Sequence, residues 1–259
     1  GGPQYRVGSH RQFVLLSRAL AGAGYPVLRF DYRGMGDSTG TQRDFEVISA
    51  DIAAAIDTLQ QRLPAVKQVA LWGLCDGASA ALLYCGATRD PRVCGLCLLN
   101  PWVRSQASLA RTQVRHYYRQ RLMQKEFWLK LLRGRVAKSA VSGLIQKIRL
   151  ASAAPDKHRI DTGQTAFQHR MAAAWHRFDG HLLLLLSADD YTAKEFAEYA
   201  GSDPSWKNYQ NRTGLVCHEM AGADHTFSNS AMQAAAQELV LNWLAQCKPN
   251  PSVAYISDP

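Results

Sequence analysis

The stretch VALWGLCDGASA, residues 69–80, decides the fold of this chain. Its first four residues are apolar and typical of a buried strand, and its last residues are small and typical of a helix. Between them stands G-x-C-x-G, with Gly73 and Gly77 on either side of Cys75. A strand that turns this sharply into a helix exposes the central side chain at the carboxyl edge of a parallel sheet. Both glycines are predicted to be required, because strand and helix approach too closely there for larger side chains.

Cys75 is the candidate nucleophile of this turn. At a helix N-terminus the dipole and the free N–H groups favour a thiolate over a thiol, and the N–H of Asp76 is expected to supply half of an oxyanion hole. The alternative is a buried cysteine in a glycine-rich turn of a non-catalytic domain. The short pattern by itself leaves that alternative open.

Apolar runs and helical periodicities alternate on both sides of the turn, the order typical of a parallel sheet with crossover helices. We expect strands at residues 25–30, 69–72, 93–99, 181–186 and 215–220. We expect helices at residues 9–23, with Ser9 as N-cap, and at 45–63, 78–88 and 228–246. The predicted fold class is therefore α/β, a mostly parallel sheet with helices on both faces.

Residues 101–179 interrupt this alternation with helical, basic and aromatic sequence. We predict a core of residues 1–100 and 180–247, a helical cap inserted at 101–179, and a flexible tail at 248–259. Between residues 101 and 150, twelve Lys or Arg stand against one acid, Glu126. A helix at 125–133 in this segment fits an anionic membrane surface, but it also fits an ordinary lid helix whose cations face water.

A base and an acid are expected at the same sheet edge as Cys75. His225 follows the last predicted strand, in AGADHTF at 221–227, and leads into the final helix. Asp189 and Asp190 directly follow the strand before it, and either carboxylate can orient the histidine. The order nucleophile, acid, base is that of a hydrolytic triad built on an α/β sheet.

Composition limits the classes of protein to which the chain can belong. Its 259 residues are 47% hydrophobic and 20% charged, as in ordinary globular proteins, and its longest apolar run, at 182–186, is too short to span a bilayer.

Six cysteines at irregular positions, without a signal-peptide pattern, predict reduced thiols in the cytoplasm. Cys94 and Cys97 have a zinc-like spacing but are expected on opposite faces of one strand, so no metal is predicted. The net charge of +9 comes with no recognised nucleic-acid module, so no nucleic acid is expected.

Four segments resemble the α/β-hydrolase superfamily and, more narrowly, hydrolase 1 of the exosortase A system-associated family. They are residues 1–11, FDYRGMGDS at 30–38, the turn at 73–77 and GADHTF at 222–227. The resemblance implies an α/β-hydrolase fold in which further strands precede residue 1. It also implies a setting beside extracellular polysaccharide and protein-sorting genes of Gram-negative bacteria. With the basic cap, the expected location is the cytoplasm, peripheral to the inner membrane.

The resemblance also assigns two parts of the site. The loop after the acid's strand usually reads G-x-x-D in the superfamily, which lays the acid on Asp190. The second oxyanion loop falls on residues 1–4, where Gly2 or Gln4 is expected to donate because Pro3 has no N–H.

The function expected from these residues is hydrolysis of an ester or thioester. Cys75, His225 and Asp190 would act on a small-molecule or lipid-like acyl substrate, with no metal or organic cofactor. The alternatives are acyl transfer by the same triad and a non-catalytic scaffold of the exosortase system.

Overall fold

The computed structural model describes residues 5–104 and 165–247. Helices and strands follow one another through these residues, and four of the five predicted strands are present. The strands are β1 (Val69–Leu74), β2 (Val93–Leu99), β3 (His181–Ser187) and β4 (Leu215–Met220). The helices are α1 (Gln12–Gly22), α2 (Ser49–Arg62), α3 (Asp76–Thr88), α4 (Phe167–Arg177), α5 (Tyr191–Ser202) and α6 (Ser230–Gln246).

The four strands form one parallel sheet in the order β1-β2-β3-β4. Because all four run the same way, their carboxyl ends meet at one edge. Leu74 pairs with Leu99 there, and Ser187 pairs with Met220. The turns that follow β1, β3 and β4 therefore lie beside one another, and the predicted parallel α/β fold is confirmed.

The core lies on both faces of the two central strands. Leu96 and Leu98 pack with Leu182 and Leu184 in one cluster, which α2, α3, α4 and α5 cover. The second cluster lies under α1 and α6. Residues 93–99 and 182–185 are apolar with little alternation because both faces of these strands are buried. The helices on both faces that the pattern predicted are confirmed.

The helix α4 lies inside the segment predicted as a cap. It packs on α3, where Gly86 approaches Ala174 so closely that a Cβ on Gly86 would lie 2.8 Å from the Ala174 Cβ. Most of the predicted cap, including the helix proposed at 125–133, lies outside the described residues, as does the tail at 248–259. The domain boundaries stay predictions, and so do the strands expected before residue 1.

Two predictions about the first part of the chain are wrong. Residues 25–30 form no strand; they line a mostly apolar cleft of about 840 Å³ that is also lined by β1, the strand at that end of the sheet. Ser9 does not cap α1 either. His10 and Arg11 have positive φ values of 52° and 59°, and this kink makes residues 9–11 a separate 3₁₀ turn, so α1 begins at Gln12.

Candidate active site

The turn between β1 and α3 holds Cys75 in a strained conformation. Its φ is 60° and its ψ is −120°, a region that non-glycine residues adopt only where the surroundings enforce it. The Cys75 N–H donates to the carbonyl of Leu99 at 2.8 Å, and its own carbonyl accepts from the N–H groups of Ala78 and Ser79. Strand pairing on one side and helix α3 on the other thus fix the backbone of the candidate nucleophile.

The two glycines of this turn differ in what they permit. A Cβ on Gly73 would lie 2.4 Å from the backbone carbon of Gly77, which no relaxation of a side chain can relieve. A Cβ on Gly77 would meet no atom of the described residues within 4 Å, and Gly77 has no positive φ. The prediction that close approach requires both glycines is therefore confirmed for Gly73 and wrong for Gly77, since the tight contact is one-sided.

The turn between β3 and α5 presents Asp190 to the site. Its carboxylate accepts from the N–H groups of Thr192 at 3.1 Å and Ala193 at 3.2 Å, so it caps α5. Its Oδ2 also lies 2.7 Å from Nδ1 of His225. Asp189 is exposed and points no carboxylate oxygen at the histidine within the described contacts. Of the two adjacent acids, Asp190 is the one that meets His225.

The loop after β4 carries His225. The carboxylate of Asp224 accepts from the N–H groups of Thr226 and Ser228, and the hydroxyl of Ser228 donates to the same carboxylate. The loop is also tied to the acid turn, because the N–H of Asp189 donates to the carbonyl of Ala223 at 3.1 Å. Asp224 thus closes the histidine loop on itself, a role that its position beside His225 in the sequence did not reveal.

Hydrogen bonds on both sides of the imidazole set its protonation. The bonds to Asp190 and to Cys75 favour the imidazolium, outweigh the effect of burial, and raise the pKa of His225 to about 9. Burial opposes ionisation of Asp190, but the bond from His225 and the two backbone N–H groups lower the pKa of its carboxyl below the usual range. Since Nδ1 serves Asp190, Nε2 is the nitrogen left for Cys75. Cys75, His225 and Asp190 therefore form one hydrogen-bonded chain.

The oxyanion donors predicted for the site are only partly within the described residues. Asp76 is the first residue of α3, where a backbone N–H has no acceptor within the helix. Gly2 and Gln4 lie outside the described residues. Among the residues that follow them, Arg6 is held by Asp31: its N–H donates to the Asp31 carboxylate at 2.6 Å, and its guanidinium pairs with the same carboxylate.

Two polar residues beside the nucleophile turn were missed in the sequence. The hydroxyl of Ser79 donates to the carbonyl of Trp102 at 2.7 Å, and Asn100 bonds to Ser187. Asn100 directly follows β2, at the carboxyl edge where Cys75 and the acid also lie. Asn100 could have been found in the sequence as the polar residue that directly follows a fully apolar strand.

Comparison with known proteins identifies the family. The family Hydrolase_4, described as serine aminopeptidase, S33, matches residues 7–190. The chain belongs to this family of α/β hydrolases. The family's description names a serine enzyme, whereas this α/β hydrolase has Cys75 at the centre of its G-x-C-x-G turn.

Solved structures share the fold of this α/β hydrolase. An esterase of Pyrococcus furiosus is 15% identical with a TM-score of 0.57, covering 90% of this chain and 74% of its own. A monoacylglycerol lipase of Paleococcus ferrophilus is 18% identical with a TM-score of 0.55, covering 95% of this chain and 92% of its own. Protein ABHD12B of Homo sapiens is 32% identical over 111 residues, which are 40% of this chain and 30% of the human protein.

Within residues 5–104 and 165–247, no helix is long and apolar enough to cross a membrane.

Proposed function

We propose that this α/β hydrolase cleaves esters or thioesters through Cys75, His225 and Asp190. The observation that carries the proposal is the chain of hydrogen bonds in which His225 meets Asp190 at 2.7 Å and Cys75 on its other side. Such a chain supplies a nucleophile, a base and a group that orients the base.

In the proposed first step the Cys75 sulfur, as a thiolate, attacks the carbonyl carbon of the substrate. The electron pair of the C=O moves to oxygen, and in this proposal the N–H of Asp76 stabilises the oxyanion. Collapse of this intermediate expels the alcohol or thiol, which takes a proton from the imidazolium of His225. The acyl group is then held on Cys75 as a thioester, and the imidazole is neutral.

In the second step water cleaves the acyl-enzyme. The neutral imidazole takes a proton from water, the hydroxyl attacks the thioester carbon, and the Cys75 thiolate leaves. The free acid is released and the protonated imidazole is restored beside the thiolate. Asp190 keeps the ring oriented and stabilises its positive charge in both steps.

The substrate class follows from the nucleophile. A thiolate is a good nucleophile and also a good leaving group, so its tetrahedral adduct expels an alcohol or thiol far more readily than an amine. Esters and thioesters are thus favoured over peptide bonds. The names of an esterase and a monoacylglycerol lipase among the structural neighbours support an ester, with a small-molecule or lipid-like acyl group.

The proposal is tested by intact-mass analysis after brief exposure to p-nitrophenyl acyl esters. The parent is expected to gain one acyl group that disappears with time, Cys75→Ala to gain none, and His225→Ala to lose the ability to discharge the acyl group. Cys217→Ala is the matched control, because Cys217 is an exposed thiol inside β4 and not in the turns that carry Cys75, Asp190 and His225, so its loss is expected to change nothing.

Three further results would change the proposal. Acyl groups that leave faster when an alcohol or amine is added indicate acyl transfer in place of hydrolysis. Release of p-nitroaniline from acyl anilides at a rate similar to that of the esters contradicts the preference for esters. No adduct on folded parent protein favours a non-catalytic scaffold.

We also propose that the enzyme acts in the cytoplasm beside an anionic membrane surface, in an exosortase-linked process. The excess of twelve Lys or Arg over one acid in residues 101–150 supports the surface. Sedimentation with vesicles that contain anionic lipid tests this membrane surface. Binding to neutral vesicles but not to anionic ones would contradict it.

A further inference from the structure

The short loop that follows β2 contacts both turns that build the site. At its start, the N–H of Asn100 donates to the carbonyl of Leu185 in β3 at 3.0 Å. Two residues later, the N–H of Trp102 reaches the carbonyl of Cys75 at 3.2 Å. One loop of three residues is therefore bonded to the acid's strand at one end and to the nucleophile turn at the other.

The side chain of Asn100 strengthens the first of these links. It is fully buried, and its Oδ1 accepts from the N–H of Ser187 at 2.8 Å while its Nδ2 donates to the hydroxyl of Ser187 at 3.0 Å. A backbone N–H can only donate, so the atom opposite it has to be the amide oxygen, which fixes the orientation of the amide. Asn100 has a φ of 45°, which asparagine tolerates better than most residues. Both the side chain and the backbone thus suit asparagine.

Ser187 is the residue through which Asn100 reaches the site. It is the last residue of β3, it is buried, and its carbonyl accepts from the N–H of Asp190 at 3.2 Å. A shift of Ser187 therefore moves the residue whose carboxylate meets His225. Asn100 itself makes no described hydrogen bond to Cys75, His225 or Asp190.

We propose that Asn100 is a positioning residue that holds the acid turn in register with the nucleophile turn. Through Ser187 it keeps Asp190 where its carboxylate reaches His225, and through its own loop it ties that arrangement to Cys75. Its effect on turnover rests on the proposed function, whereas its effect on the contact between Asp190 and His225 does not.

The test compares Asn100→Ala, which removes both side-chain bonds, with Ser187→Ala, which removes only one. The first readout is the pKa of His225, followed by NMR of labelled histidine and assigned with His225→Gln. It is expected to fall from about 9 toward 6.5 in Asn100→Ala and by less in Ser187→Ala. The second readout is acylation by a p-nitrophenyl ester, expected to slow by about 10- to 100-fold in Asn100→Ala, as a small misplacement of catalytic groups does.

Ile56→Ala is the control for a general loss of stability, because Ile56 is buried in α2 outside both turns. It is expected to lower the midpoint of thermal unfolding and to leave the pKa of His225 unchanged. An unchanged His225 pKa in Asn100→Ala overturns the inference, and if that variant does not fold, an unchanged pKa in Ser187→Ala does so. A parent that forms no acyl adduct overturns the proposed function instead, and the pKa comparison, which needs no turnover, still decides the role of Asn100.

Discussion

The nucleophile turn after β1 and the acid turn after β3 hold their candidate side chains by different means. Both lead from a parallel strand into a helix at one edge of the sheet. The first depends on backbone geometry, with a positive φ at Cys75 and Gly73 pressed against the backbone of Gly77. The second depends on side-chain hydrogen bonds, with Asp190 capping α5 and bonding to His225. Close backbone packing allows few residue types at each position, so the first turn can be recognised as a sequence motif. A hydrogen bond can be made by a residue at either of two neighbouring positions, so the second turn is harder to assign from sequence.

The largest effect is expected from Gly73→Ala. Its new methyl group would overlap the backbone at Gly77, so strand and helix have to separate and the free energy of unfolding is expected to fall by about 3 kcal/mol or more. Gly77→Ala is the matched change on the other side of Cys75 and is expected to cost less than about 1 kcal/mol, since its methyl group meets no described atom. Chemical denaturation of both variants measures the difference. Equal losses would show that the turn is not one-sided.

The acid turn is tested by Asp190→Asn beside Asp189→Asn. Asparagine is also a good N-cap, so the first change preserves α5 while it removes the negative charge that orients His225. Ester hydrolysis is expected to fall by up to about 10⁴-fold in Asp190→Asn, the loss that a comparable change causes in a serine protease. Asp189→Asn is expected to stay within about twofold of the parent, because the Asp189 side chain is exposed and the change keeps its backbone N–H bond to Ala223. A larger loss in Asp189→Asn would exchange the roles of the two acids.

Stability is expected to depend on pH through His225. Its pKa is about 9 in the folded protein and 6.5 ordinarily, so the stabilisation is complete below about pH 6.5 and is lost as the pH rises through 9. A shift of this size corresponds to about 3 kcal/mol. Urea unfolding at a series of pH values measures this loss of stability.

A second set of groups also titrates at high pH and has to be separated from His225. Burial raises the pKa of the Cys85 and Cys247 thiols to about 12, so ionisation of these thiols in the unfolded chain also lowers stability above about pH 9. His225→Gln retains these thiols and is expected to lose only the decline between pH 6.5 and 9. The same decline in both proteins would show that the imidazole is not the source.

The strands that the sequence predicted correctly are those whose apolar runs lie between clear turn signals. The strands at 93–99 and 215–220 have the predicted bounds, and β1 extends only two residues beyond the predicted 69–72, because these runs lie between clear turn signals. Residues 25–30 carry a similar, mostly apolar pattern, but they form no strand and none of them is buried. Such a pattern favours a strand only where a neighbouring strand accepts its backbone hydrogen bonds, and it does not name that neighbour.

For the candidate site, the sequence predicted the residue types and their order but not their contacts. Cys75 and His225 follow from motifs whose positions are constrained by sterics and by the sheet edge. The choice of Asp190 over Asp189 needed a resemblance, because the residues themselves left both open. Asn100 was missed because its partner, Ser187, is 87 residues away, and only the parallel pairing of β2 with β3 brings the two together.

The smallest expected effect separates capping from chemistry. Asn229 caps α6 as Asp190 caps α5, its Oδ1 accepting from the N–H of Ala231 at 2.8 Å, but it bonds to no residue of the triad within the described contacts. Asn229→Ala is therefore expected to lower the free energy of unfolding by about 1 kcal/mol, the usual value of an N-cap, and to leave ester hydrolysis unchanged. Thermal unfolding and initial rates on the same preparation measure both quantities. If the rate of ester hydrolysis falls together with the stability, the loop that carries His225 depends on the start of α6. Residues that cap α5 and α6 would then both affect the reaction, and the acid turn would not differ from α6 in this respect.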